Sequence, residues 1–125
     1  MTRFPIRSVS LVLLLSGLAA APLALAHPSL VSSTPAADAT VAPATEITLR
    51  FSEKVMPRAT RIELSMDHGR MKMAMATTAQ DISEDGHTLR ARFAKPLPAG
   101  SYALQWRAVG QDTHPITGSY RFTVK

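Results

Sequence analysis

The sequence predicts an all-β protein: a small Greek-key β-sandwich or barrel, immunoglobulin-like in outline, of about seven strands, following a cleaved signal peptide. Three observations carry this expectation. Short runs in which apolar and polar residues alternate recur through residues 27–125, the period of a half-buried strand. Turn signals built from Gly, Pro and Asp separate those runs. No stretch beyond residue 26 carries a helical period.

The N-terminus bears on compartment. Arg3 and Arg7 precede an apolar run from residue 9 to residue 25 that closes with Ala24-Leu25-Ala26. Charge, apolar stretch and an Ala-x-Ala site together describe a secretory signal peptide, whereas Pro22 interrupts the run and leaves it short for a membrane anchor. Cleavage after Ala26 makes His27 the first residue of a mature chain of 99 residues, one small domain spanning 27–125. The chain has no cysteine, which excludes disulfides and any Cys-based zinc or redox site, so packing must stabilise the exported domain. Without Arg3 and Arg7 the basic excess falls from +5 to +3, 12 Lys and Arg against 9 Asp and Glu. Arg50, Arg61, Arg90, Arg92, Arg107 and Arg121 fall at the polar phase of the alternating runs and read as a solvated sheet face. No basic cluster interleaved with aromatics appears, which argues against nucleic-acid binding.

Along the mature chain, residues 27–33 can be extended, and Thr34-Pro35 opens a loop rich in Ala, Asp and Pro that runs to Thr45. Residues 46–52 form a strand with Ile47, Leu49 and Phe51 on one face. Met56-Pro57 breaks the pattern, and residues 60–66 resume it with Ile62, Leu64 and Met66 inward. After Asp67-His68-Gly69 the methionines of residues 71–75 alternate with other residues. Glu84-Asp85-Gly86 is a turn, and residues 88–94 direct Leu89, Ala91 and Phe93 inward. Residues 95–100 turn the chain again, and Gly100-Ser101-Tyr102 resembles a tyrosine corner, whose hydroxyl bonds back to the backbone upstream. Two last strands follow, marked by Tyr102, Leu104 and Trp106 and by Tyr120, Phe122 and Val124, with Trp106 assigned to the core.

The loop between these strands holds Asp112 and His114, which share a side if the chain there is extended. His27 gains a second function from being first in the mature chain: its freed α-amine and its ring Nδ1 can close one chelate ring on a metal. Pro28 has no N–H to deprotonate, so the metal must find its other ligands elsewhere in the fold. With Asp112 and His114 the set is three nitrogens and one oxygen, which suits tetragonal Cu(II), although zinc also accepts these ligand types. By spacing alone, such a site and an ordinary loop histidine account for these residues equally well.

Longer motifs add to this reading. The mature start His27-Pro28-Ser29-Leu30-Val31-Ser32-Ser33-Thr34-Pro35, the tripeptide Phe51-Ser52-Glu53, and Trp106-Arg107-Ala108-Val109 followed by Asp112-Thr113-His114-Pro115-Ile116-Thr117-Gly118 closely resemble the CopC family of periplasmic copper-binding proteins. The similarity spans the mature chain. It implies a seven-stranded Greek-key β fold, a bacterial periplasmic location, and a Cu(II) site made by His27, Asp112 and His114. Glu53 occupies the family's glutamate position, where it would orient a ligand imidazole or simply face solvent.

Some CopC relatives hold Cu(I) in a methionine-rich loop, thioether sulfur being a soft ligand. Here Met66-Asp67-His68-Gly69-Arg70-Met71 reproduces its Met-x-His-x-x-Met part, with Met73 and Met75 just beyond. Upstream the pattern departs, since Thr60 and Glu63 stand where such relatives carry methionines. Met66, His68, Met71, Met73 and Met75 are thus candidate Cu(I) ligands, and the alternative is that the methionines fill the core. His87 has no partner in the sequence and reads as a surface residue.

The resemblance implies a non-enzymatic copper carrier for resistance, buffering or transfer, monomeric, with a CopD-type inner-membrane protein as partner. Two other classes compete. An N-terminal histidine beside a second histidine also resembles the copper site of lytic polysaccharide monooxygenases, but a 99-residue chain with few aromatics lacks a broad sugar platform. A metal-free sandwich that binds another protein is the third reading, separated from the first by whether copper survives dialysis.

Overall fold

A computed structural model describes residues 27–125; the signal-peptide reading of residues 1–26 lies outside the described residues. The alternating runs form strands, and two further short strands join them: β1 (Leu30–Thr34), β2 (Thr40–Val41), β3 (Glu46–Phe51), β4 (Arg61–His68), β5 (Met71–Met75), β6 (Ala79–Ile82), β7 (Thr88–Arg92), β8 (Gly100–Val109) and β9 (Pro115–Val124). They build a four-stranded sheet of order β1-β3-β7-β6 and a five-stranded sheet of order β2-β9-β8-β4-β5.

The inward phases read from the sequence are the buried ones. Ile47, Leu49 and Phe51 of β3, Leu89 and Ala91 of β7, and Leu104 of β8 meet between the sheets. Trp106 is 8% exposed, lies edge-on to Phe51 with centroids 5.3 Å apart, and belongs to the core as expected. Its ring covers Gly118 of β9, where a β-carbon would sit 2.4 Å from the indole, so only glycine admits the tryptophan here. Tyr102 forms the expected corner: its hydroxyl donates to the Pro98 carbonyl, and burial raises the phenol pKa.

Two strands correct the sequence reading, which left both segments outside any strand. β2 lies in the stretch read as loop; it is two residues long, too short to show a period, and exists because Thr40 and Val41 pair in parallel with Thr123 and Val124 at the end of β9. β6 has no clean alternation, and the side chain of Gln80 secures it. Gln80 Oε1 accepts from the Ile62 amide at 2.9 Å and its Nε2 donates to the Ile62 carbonyl at 3.1 Å, satisfying backbone that β5 does not reach. The solvated arginine face is also revised at one position. Arg50, Arg61, Arg90, Arg92 and Arg121 are exposed, whereas Arg107 is half-buried.

Candidate metal centre

The centre forms where the N-terminal segment, the residues after β3 and the β8–β9 loop meet. β1 pairs antiparallel with β3, which carries residues 27–29 past the end of β3. There the Ser29 amide donates to Ser52 Oγ at 3.0 Å and the Ser52 amide donates to the Ser29 carbonyl at 2.9 Å. Pro28 is fully buried and seats on Gly110, where a β-carbon would stand 2.9 Å from Pro28 Cδ. Gly110 is itself bridged to Val55, and Thr60 Oγ1 accepts from the Val109 amide at 3.2 Å. These contacts hold His27 over the β8–β9 loop.

That loop is not extended, so the expected reason for Asp112 and His114 to share a side does not hold. The Thr113 amide donates to the Gly110 carbonyl at 3.1 Å, and Thr113 has a φ of 65°, a left-handed conformation uncommon for a β-branched residue. The turn brings the two side chains together instead. Asp112 Oδ1 accepts from the His114 amide at 3.3 Å, the short Asx contact that lets aspartate organise a turn.

Asp112 Oδ2 faces both imidazoles. His27 Nδ1 lies against it and His114 Nδ1 is 3.7 Å away, while the rings stand edge-on with centroids 5.9 Å apart. The candidate ligand atoms of His27, Asp112 and His114 all fall within 4.8 Å of one another. Exposure divides them, at 58% for the His27 side chain and 74% for His114 against 9% for Asp112. Asp112 Oδ2 is shut off from solvent and faces the two imidazole Nδ1 atoms, so a proton on a ring or a bound cation is what satisfies the oxygen there. A buried carboxylate oxygen and two outward imidazole nitrogens are the donor set of a borderline divalent metal, Cu(II) or Zn(II), reached from solvent on the histidine side.

Other sequence candidates lie elsewhere. Glu53 is exposed and makes no hydrogen bond or ion pair among the described residues. His87, read as a surface residue, is half-buried with Nδ1 at 3.1 Å from the Phe51 carbonyl, bracing the segment that carries Ser52. The methionines occupy the β4–β5 hairpin, with Met66 opposite Met73, His68 opposite Met71 and Leu64 opposite Met75. All therefore project from the inward face, yet Met71 is 74% and Met73 50% exposed, because the hairpin overhangs the core. β8 pairs with this hairpin at Tyr102 and leads to the Asp112 loop after Val109, so the methionines and the His27 cluster lie at opposite ends of the five-stranded sheet, roughly 25 Å apart along the strand.

Comparison with known proteins identifies the family. A family model described as the CopC domain matches residues 30–125. The chain belongs to the CopC family. It is 41% identical over 127 residues to Copper resistance protein C of Xanthomonas campestris pv. juglandis, covering 98% of this chain and 99% of that protein. Among solved structures it is similar to PcoC, a methionine-rich copper resistance protein from Escherichia coli, with a TM-score of 0.74 and 42% identity over 80% of this chain and 100% of that one. CopC from Methylosinus trichosporium OB3b superimposes with a TM-score of 0.67 at 27% identity, covering 79% and 94% of the two chains. Family membership supports a copper-related resistance role for this CopC-family chain.

Sequence reasoning did not find the residues that aim the centre. The sequence shows only the missing N–H of Pro28, whereas its buried ring is what anchors His27. Ser29 and Ser52 fall inside the family motifs but carry no chemical signature of their own, and Gly110 carries none. Thr60, noted only as a departure from methionine, is the buried acceptor for the Val109 amide.

Proposed function

We propose that the processed chain is a periplasmic copper-binding protein that takes Cu(II) through the His27 α-amine and Nδ1, Asp112 and His114, and passes copper to or from a CopD-type inner-membrane protein while remaining a monomer. The observation that carries this reading is the buried Asp112 Oδ2 facing two imidazole Nδ1 atoms. That His27 turns Nδ1 inward supports the chelate, since this nitrogen closes a ring with the residue's own amine. Asp112 would fill a coordination position that oxidative chemistry leaves open, which favours binding over catalysis.

Cu(I) is assigned to the hairpin methionines with His68. Exposed thioethers at Met71 and Met73 support this, because side chains serving only as core filler would be covered. Glu53 stays outside the proposed ligand set.

The testing experiment is a Cu(II) competition titration of the chain starting at His27 against one with a single serine ahead of it. The extension converts the amine into an amide and leaves every side chain in place. Cu(II) affinity should fall steeply, and the pH dependence set by an amine of pKa about 8 should disappear. Equal affinities for the two chains would falsify the N-terminal chelate.

A further inference from the structure

An open trough crosses the outer face of the five-stranded sheet, on β4, β8 and β9, with a volume of about 450 Å³. Arg61 and Arg107 are register partners on this face, two like charges placed directly opposite each other, which disfavours the pair unless something neutralises it. Glu63 offers little compensation: it is 3.9 Å from Arg61 Nε, and both side chains are more than half exposed. Arg107 has no ion-pair partner among the described residues, and its Nε is shut off from solvent without a hydrogen-bond acceptor. Gln105, Thr117 and Ser119 add neutral polar groups to the trough, and Trp106 and Gly118 add apolar surface.

We infer that this trough is the docking seat for an acidic peptide segment of the protein that exchanges copper with this chain, Arg107 taking a carboxylate on its guanidinium; the exchange, though not the docking, rests on the copper reading above. A guanidinium presents a planar fork of N–H donors that matches a carboxylate, and Arg107 lines the trough half-buried, with no ion pair among the described residues to occupy that fork. The trough is open and spans three strands, which fits an extended segment better than a small acid that would need walls on all sides. Charge agrees as well, because the predicted mature chain is basic by +3.

Position gives the seat a use. Arg107 lies on β8 just before Val109 and Gly110, and its register partner Thr117 follows His114 on β9. The trough is therefore on the same end of the sheet as the copper centre, whose two imidazoles are largely exposed. A partner seated here would have its own ligands beside the metal.

The probe is a capped, Asp- and Glu-rich octapeptide, compared with its Asn and Gln counterpart and with acetate and citrate at equal carboxylate concentration, added to ¹⁵N-labelled metal-free and Cu(II)-loaded chain starting at His27. The acidic peptide should shift the Arg107 Nε–H and the Gly118 and Ser119 amides saturably. Arg107→Gln should weaken it about tenfold or more, Arg107→Lys less, and Arg90→Gln on the other sheet not at all. Cu(II) affinity of Arg107→Gln should equal the parent's. Absence of these shifts, retained affinity in Arg107→Gln, or equal saturation by acetate or citrate would each overturn the proposal. Peptide binding by a chain that takes no Cu(II) would sink the copper reading and leave the docking seat standing.

Discussion

Gly110 and Pro28 show how residues with no ligand atom of their own position a candidate metal centre. The buried proline ring needs the space a β-carbon at Gly110 would fill, and both neighbours are rigid. Gly110→Ala should displace the N-terminal segment and lower Cu(II) affinity by about 10–100-fold, the usual penalty for disturbing a residue that orients a ligand. His114→Ala should cost more, since it removes a proposed ligand, while changing unfolding free energy by no more than about 0.5 kcal/mol at so exposed a position. Competition titration and urea unfolding of both variants check this. A Gly110→Ala chain binding Cu(II) like the parent would remove the Pro28 seat from the account, and an unaltered paramagnetic resonance spectrum in His114→Ala would remove that histidine.

Two local elements make separable predictions. In the β4–β5 hairpin, replacing Met66, Met71, Met73 and Met75 by leucine keeps apolar volume and removes sulfur. Cu(I) affinity should fall and Cu(II) affinity should hold, because the His27 cluster lies at the other end of the sheet; an unchanged Cu(I) chelator competition would return these residues to packing. In the turn before β7, the Ser83 hydroxyl and then the His87 amide bond to the Asp85 carboxylate and hold its pKa down from 3.8 to about 2. A depressed folded-state pKa contributes stability that is present above 3.8 and is lost as pH falls through about 2. This turn also supports the end of the sandwich that holds the His27 cluster, for the Gly86 carbonyl accepts from the Val55 amide and the His87 carbonyl from the Phe51 amide. Asp85→Asn should flatten the acid limb of stability between those pH values in circular dichroism; an identical limb would show that the exposed carboxylate contributes nothing measurable.

At the scale of the molecule, one sheet keeps the two proposed copper ligand sets apart, imidazole and carboxylate at one end and thioether at the other. The separation depends on β8 and β4 staying in register, and therefore on the core between the sheets. With no disulfide, that core carries the stability. Leu104→Ala, at a position 0% exposed in the middle of β8, should lose about 2–5 kcal/mol in denaturant unfolding followed by the chain's single tryptophan, Trp106. A loss under about 1 kcal/mol would mean that the two sheets are not held as described.

How far the sequence reached can be judged residue by residue. Alternation is a local property of the pleat, so the phases of β3, β4, β7, β8 and β9 were legible, as were Trp106 in the core, the Tyr102 corner and the residue types of the candidate centre. Three things were decided only in tertiary structure, each because it depends on contacts between segments distant in the chain. β2 and β6 exist through partners, the end of β9 and the backbone of Ile62, rather than through any pattern of their own. His27 meets Asp112 because β1–β3 pairing, the Ser29–Ser52 bonds and the Pro28 seat deliver the N-terminus to the β8–β9 loop, where a turn at Thr113 replaces the extended chain that spacing suggested. Exposure, finally, departs from phase: Met71 and Met73 share the inward phase of Leu64 yet face solvent, while Arg107 shares the outward phase of Arg61 and loses its Nε to burial. Periodicity determines which side of a sheet a residue takes, and only the packed neighbours determine what covers that side.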